Sequence, residues 1–278
     1  MPPSPIVSVV IPSYQQRDFI VAAVESVLAQ EEVDYELIIA DHSSDDGTWE
    51  KLNAYADHPR VRLSRTASGG GAPRNWNEVT RLARGTFIKL LPGDDTILPG
   101  TLARQAAILQ SDPKRVLTAG KRDVIDARGE TIFRARGLGG LTAPTAGGDA
   151  IRATVRSGTN LFGEPGAVLL RRDVLVDAGL WDAEFPYAID EASYIRVLEN
   201  GDFAPDVETA STFRLSGGQW SVALVRRQAE QMASLHAAVH ARRPDLVSST
   251  DVRIGNRRAR LLAHQRRIVY RVLKGRMA

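Results

Sequence analysis

The sequence predicts an α/β fold: a mostly parallel sheet flanked by helices, followed by a C-terminal helical extension. Three observations carry this. Short β-branched runs alternate with apolar residues at helical spacing through the first hundred residues. The links between them are short, as strands joined through crossover helices require. From about residue 221 the strand-like runs cease and two helical stretches follow, roughly 221–242 and 252–274.

Each element follows from its own residues. Residues 7–11 (VSVVI) form a buried strand, and Ile20, Val24, Val27 and Leu28 mark a helix over 18–30. Residues 36–40 (ELIIA) form a second strand, then polar DHSSDDGT leads to a helix with Trp49 and Leu52 on one side. Residues 61–64 give a third strand, 75–83 a helix, and 86–91 (TFIKLL) a fourth strand. Pro99 opens a helix reaching about Leu109, because proline fits a first helical turn. Beyond residue 115 the pattern loosens. Strands are expected at 115–120 and 166–170, a hairpin over 124–132, a short helix at 173–178, and a helix at 191–199 stopped by Asn200-Gly201. The small-residue segment 137–148 reads as a mobile loop.

With 278 residues, 43% of them hydrophobic, the chain can bury one substantial core. There is no cysteine, which excludes disulfides and thiolate metal sites. No apolar run nears the 18 residues of a membrane span, and MPPSPIVSVVIP lacks the basic start of a signal peptide, so a cytoplasmic location is expected. The net charge of +3 hides an asymmetry. From Arg253 onward there are nine Lys or Arg and no acidic side chain, leaving 27 basic and 33 acidic side chains elsewhere. Basic residues confined to a tail do not make a nucleic-acid-binding domain. Two readings of the tail stand: a basic amphipathic helix lying peripherally on an anionic membrane, or a helix whose apolar side packs on the acidic body or a second copy.

In parallel sheets, ligands sit beyond the carboxyl ends of the strands. Three polar segments converge there: Pro12-Ser13-Tyr14, the DHSSDD run from Asp41 to Asp46, and Pro92-Gly93-Asp94-Asp95.

At these segments the chain resembles a known family. VSVVIPSYQQRDFIVAAVESVLAQ, ELIIADHSSDDGT, APRNWNEVTRLARGTFIKLLPGDDTILPGTL and GAVLLRRDVLVDAGLWDAEFPYAIDEASYIRVLENGDF, in this order, are similar to family 2 inverting glycosyltransferases of the GT-A fold. The resemblance covers about residues 5–215. It implies a GT-A domain over 1–215, with a nucleotide-sugar half (1–115), an acceptor half (116–215) and a helical extension (216–278). It further implies transfer of a sugar, with inversion, from a nucleoside diphosphate sugar to the hydroxyl of a glycan, lipid-linked sugar or natural product.

The family pattern then assigns roles. Asp94 and Asp95 match the acidic motif that binds a divalent metal, Mn2+ or Mg2+, with Asp94 also meeting the donor. The first acid of that motif is replaced by Pro92. Pro12, Ser13 and Tyr14 match the nucleotide-lining turn, and Asp41 the acid that meets base or ribose, with His42 where a glycine is usual. Arg74 and Asn75 match an R-N pair facing the donor; the alternative for Arg74 is a helix surface. Asp190 in FPYAIDEA matches the general base, with Glu191 as fallback and Ile189 in place of the preceding acid. Asp190 also suits a helix N-cap. Ser216 stands where the family often has a metal-binding histidine. Asp45 and Asp46 read as helix caps, and His236 with His240 as a solvated helix face. Pro92, Ile189 and Ser216 leave a second reading open, a sugar-nucleotide binder with weakened catalysis. A nucleotidyltransferase is disfavoured, because PSYQQRDF after the first strand has no glycine.

Overall fold

The computed structural model describes residues 4–216 and 227–276. Nine α-helices and eight strands are defined among them. The first half alternates: β1 (Val7–Ser13), α1 (Ile20–Leu28), β2 (Tyr35–Asp41), α2 (Thr48–Asn53), β3 (Val61–Arg65), α3 (Gly71–Arg81), β4 (Phe87–Leu90) and α4 (Thr101–Gln110). Then follow β5 (Arg115–Ile125), β6 (Thr131–Arg136), α5 (Gly147–Ser157), β7 (Val168–Arg171), α6 (Arg172–Asp177), α7 (Ile189–Leu198) and β8 (Asp202–Arg214). Two helices, α8 (Gln228–Arg242) and α9 (Ser249–Val272), close the described chain.

One sheet holds all eight strands in the order β3-β2-β1-β4-β7-β5-β6, with β8 paired to β5. Strands β1 to β4 are mutually parallel, β7 is antiparallel to β4, and β8 runs parallel to β5. All seven residues of β1 and of β2 are buried, as expected of strands covered on both faces. Alternation then sorts the side chains into two cores. Val10, Ile38, Ile88 and Leu90 pack on the face that carries α5, α7 and α8. Val9, Ile11, Leu37, Ile39 and Phe87 pack on the other, under α1 and α4.

Several boundaries differ from expectation. The helix expected at 75–83 begins at Gly71, because Gly69, Gly70 and Gly71 all take positive φ and let the chain turn directly into it. Helix α7 begins at Ile189 with Ala188 as its cap residue, so Asp190 lies inside the first turn and is not the N-cap. Helix α5 and strand β8 carry no sequence expectation. The segment 137–148 is tied down: Leu138 is buried, its N–H donates to Leu161 O, and Thr145 bridges Phe203. The part of the expected 221–242 helix before Arg227 lies outside the described residues, as does the family segment beyond Ser216.

The C-terminal helices belong to the body. Helix α9 crosses α5 where two glycines meet: a Cβ on Gly158 would lie 2.5 Å from Gly255 O, and one on Gly255 would lie 2.1 Å from Val155 O. Ser248 and Asp251 form a reciprocal capping box at the start of α9. Asp251 also pairs with Arg152 and Arg156 of α5, and these bonds hold its carboxyl well below the usual range. His236 is buried with Nδ1 2.7 Å from Asn256 Oδ1, and His240 Nδ1 lies 2.7 Å from Val247 O. The expected solvated histidine face is therefore a packed one, because α9 covers it. No described helix is long and apolar enough to cross a membrane.

Candidate active site

The strand order reverses between β1 and β4, and a cleft opens beyond their carboxyl ends. Ser13 and Asp41 are register partners at the ends of β1 and β2. Asp41 is fully buried; its Oδ2 accepts from Ser44 N at 3.1 Å and faces Arg65 Nε at 3.3 Å. Its other oxygen, Oδ1, and the neighbouring Ser13 Oγ are buried without a hydrogen-bond partner. These orphaned polar atoms at neighbouring strand ends call for partners, although neither Ser13 nor Asp41 is among the cleft-lining residues.

The loops after β1 and β2 brace one another. Gln15 N donates to Ser44 Oγ, Gln16 N to Thr48 Oγ1, and Arg17 N to Asp46 Oδ2. Asp45 accepts from the Gln15 side chain, so these two acids fasten loops instead of lining the cleft. His42 is buried with its ring nitrogens 2.7 Å from Thr66 Oγ1 and 3.0 Å from Gly69 O, and Tyr14 meets it edge-on at 6.1 Å. An imidazole at a position where glycine is usual thus ties the glycine-rich loop to the sheet.

Asn75 lines the cleft and donates to Ser13 O and Ala40 O at 3.3 and 3.4 Å. Arg74 points elsewhere: it is exposed, pairs with Glu78 at 2.7 Å, and is not among the cleft-lining residues.

Asp94 and Asp95 are buried on a turn after β4, and both line the cleft. Strand β8 fixes that turn: Arg214 N donates to Asp95 Oδ1 at 2.8 Å and Arg214 Nε to Asp94 O at 2.9 Å. Burial and then the neighbouring Asp94 push the Asp95 carboxyl well above the usual range, while the Arg214 N–H pulls the other way. Among the described residues no three acidic or histidine side chains gather as a ready cage. Two adjacent hard oxygen donors still fit Mg2+ or Mn2+, ions that bind through one or two carboxylates and take phosphate oxygens for the rest.

Asp190 sits in the first turn of α7. Its Oδ2 accepts from Asn160 Nδ2 at 3.0 Å and its Oδ1 from Glu191 N at 2.8 Å. Burial pushes its carboxyl up to about 7, and Glu164 adds to the rise against those hydrogen bonds. Glu191 is buried, accepts from Thr154 Oγ1 at 3.0 Å, and is pushed up to about 8 by burial and by Asp190.

Two cavities meet at Asp190. One, of about 580 Å³, holds Pro12, Tyr14, Asn75, Asp94 and Asp95. The other, of about 710 Å³, lies between β6, α7 and α9. Glu164, Tyr187, Asp190 and Phe213 line both. Of these the sequence reading reached only Asp190. Glu164 is carried in by a turn whose carbonyls are held by Lys89 Nζ (to Gly166 O and Val168 O, 2.9 Å each) and Gln105 Nε2 (to Ala167 O, 2.9 Å). A fully buried lysine in TFIKLL was the one available signal that something packs over β4 there.

The eight-stranded sheet and the acidic cleft at its switch point define an α/β protein of the GT-A fold. The chain belongs to glycosyl transferase family 2, whose family model, described as "Glycosyl transferase family 2", matches residues 8–178. It is 30% identical over 207 residues to the uncharacterized protein MT1568 of Mycobacterium tuberculosis, covering 71% of this chain and 63% of that one. It is 42% identical over 103 residues to the succinoglycan biosynthesis protein ExoO of Rhizobium meliloti, covering 36% of this chain and 28% of the relative. Among solved structures, S. aureus TarS 1-349 in complex with UDP-GlcNAc matches with a TM-score of 0.68 at 18% identity, covering 84% of this chain and 66% of that one. The mannosyltransferase PcManGT from Pyrobaculum calidifontis, in complex with GDP-Man and Mn2+, matches with a TM-score of 0.62 at 16% identity, covering 86% and 65%. The two structures share the fold. The chain spans less than two thirds of the length of each of these proteins.

Proposed function

We propose that the protein transfers a sugar from a nucleoside diphosphate sugar to an acceptor hydroxyl, with inversion. The observation that carries this is the position of Asp190 on the wall common to two cavities, one of them ending on the carboxylates of the strand ends. In this reading residues 1–115 hold the donor, 116–215 supply the acceptor half, and 216–278 are the extension.

The donor's nucleoside meets Pro12, Ser13, Tyr14 and the orphaned oxygen of Asp41. Its diphosphate lies toward Asp94 and Asp95, which would hold Mn2+ or Mg2+. When bound, that cation neutralises charge developing on the departing diphosphate. Asn75 keeps the ends of β1 and β2 together, and Arg74 reaches the donor only by leaving Glu78. In the transfer, Asp190 takes the proton of the acceptor hydroxyl as its oxygen bonds to the anomeric carbon. The bond from that carbon to the diphosphate oxygen breaks, and its electron pair leaves with the nucleoside diphosphate. A carboxyl near 7 is matched to this task, being about half deprotonated at neutral pH and basic enough to accept the proton. Glu191, hydrogen-bonded to Thr154 inside the helix layer, has less access, and its main-chain N–H favours the charged form of Asp190.

Incubation of the full chain with a panel of nucleoside diphosphate sugars and Mn2+ tests the reading; absence of both transfer and donor hydrolysis would leave the weakened binder, which Pro92 and Ile189 favour.

The outer face of α9 supports a peripheral membrane contact. Leu261, Ile268 and Val272 are 59%, 48% and 77% exposed, seven and four residues apart, and exposed Arg257, Arg260, Arg267 and Arg271 flank them. A two-fold contact with a second copy through this face would set arginines against arginines. An anionic lipid surface gains about 1 kcal/mol per basic residue near it.

A further inference from the structure

We propose that the cavity under α9 selects an acceptor bearing an anionic group, phosphate or carboxylate, which Arg266 and Arg136 bind while the acceptor hydroxyl faces Asp190. The inference rests on the reading of Asp190 as the base, and adds the acceptor's chemical class.

Arg266 reaches into this cavity from α9, a helix outside the region matched by the family model. Its head is half-buried and donates to three neutral oxygens: Tyr187 Oη at 2.6 Å, Thr159 Oγ1 at 2.8 Å and Gln228 Oε1 at 3.4 Å. Among the described residues it makes no ion pair. A guanidinium drawn out of water and oriented by neutral acceptors alone lacks a counter-charge. The neighbouring Arg122, on the same cavity, pairs with Glu164, and Arg152 and Arg156 of the adjoining α5 pair with Asp251, whereas Arg171, on the far side of the sheet, is likewise held by neutral oxygens, those of main-chain carbonyls. Arg136, at the end of β6, also lines the cavity and makes no ion pair among the described residues.

The negative charge present does not answer theirs. Glu164 is matched by Arg122, Asp190 turns to the shared wall, and Glu191, which Arg266 influences without an ion pair, turns to Thr154 Oγ1, its carboxyl raised by burial and by Asp190. The remaining wall is mostly apolar and aromatic, Phe133, Phe213 and Tyr270 among it, with Asn160 and Gln265 as further polar side chains. The site therefore suits an anion attached to an apolar or ring-shaped body. A bidentate guanidinium fork recognises phosphate and carboxylate alike.

The test titrates full-length protein with phenyl phosphate and with phenol by calorimetry, with and without saturating Mn2+ and the nucleoside diphosphate that stabilises the protein most. Phenyl phosphate is expected to bind alongside the nucleotide, at least tenfold tighter than phenol. Arg266→Gln and Arg136→Gln are each expected to weaken it about tenfold or more, and Arg266→Lys less. Arg136 is exposed and holds nothing else, so its variant keeps the test sound if Arg266→Gln unsettles the fold. Dodecyl phosphate and glucose 6-phosphate then separate a lipid-borne phosphate from one on a soluble sugar; Arg266-dependent binding of either supports the site. Displacement of phenyl phosphate by the nucleotide, equal binding of phenol, or wild-type binding by both Gln variants overturns it. Loss of nucleotide binding alone counts against the donor reading and not against this site.

Discussion

The main-chain N–H of Arg214 donates to Asp95 Oδ1 at 2.8 Å, across 119 residues of sequence. The same residue's Nε holds Asp94 O, and its guanidinium lies 4.6 Å from the Phe19 ring centre. Two adjacent buried carboxylates are therefore set in place by a strand from the other half of the chain, and its Arg214 N–H works against the rise that burial and Asp94 impose on the Asp95 carboxyl.

On the proposed reading, donor binding depends on this acidic pair. Asp95→Ala is expected to abolish transfer, and EDTA to do the same, with activity restored by Mn2+. Thermal shift with UDP or GDP should lose its metal dependence in the variant. Full turnover in EDTA would exclude the metal.

Asp190→Asn keeps the shape of the first turn of α7 while removing the base. Transfer should fall by roughly 10²–10⁴, with donor affinity little changed. In the wild type the rate should climb as pH rises through about 7, because only the deprotonated carboxylate accepts the acceptor's proton. The climb should vanish in the variant. A pH profile that is flat between 5 and 8 in the wild type, or an unaltered rate in Asp190→Asn, moves the base elsewhere.

Gly255→Ala tests the crossing of α9 over α5. The added Cβ would sit 2.1 Å from Val155 O, so the helices must part. Overpacking of this kind costs about 1–3 kcal/mol. Urea denaturation should show the midpoint drop, and an unchanged midpoint would mean that α9 is held by its end contacts alone.

Helix α9 also carries the membrane prediction. Intact protein should sediment with phosphatidylglycerol vesicles at low salt and stay in solution with phosphatidylcholine. Changing Leu261, Ile268 and Val272 together to Glu should abolish sedimentation without altering the circular dichroism. If wild-type protein ignores the anionic vesicles, gel filtration should be used to look for a dimer instead.

The first four strands of this fold, and the polar loops at their ends, were legible because local pattern reports them. VSVVI and ELIIA are buried on both faces, so they read as uninterrupted apolar runs, and Asp41 and Asp94-Asp95 follow strands directly. The other side is built from long-range contacts that leave no periodic trace. Strand β8 contains Pro205, Asp206 and Glu208 and, among the described strands, pairs with β5 alone, so its residues resemble a loop. Glu164, Tyr187 and Arg266 meet in space from three separate segments, and only Tyr187 lies in a motif, FPYAIDEA, where Asp190 drew the attention. The apolar residues of the tail formed one set in sequence. In space they divide: Leu262 and Val269 line the cavity, while Leu261, Ile268 and Val272 face out.

Strand β8 does more than close the sheet. Leu98 N donates to Ala210 O, Thr212 N to Thr96 O, and Arg214 N to Asp95 Oδ1, so the acidic turn is stitched to it at three successive points. A fragment ending near residue 115 would keep β1 to β4 and lose the splint of the acidic turn. Swapping donor specificity between relatives by grafting that half alone should therefore yield proteins that fold but handle the diphosphate poorly. A graft meant to carry the donor's identity has to bring the matching stretch around 210–214 with it, although in sequence that stretch belongs to the acceptor's side.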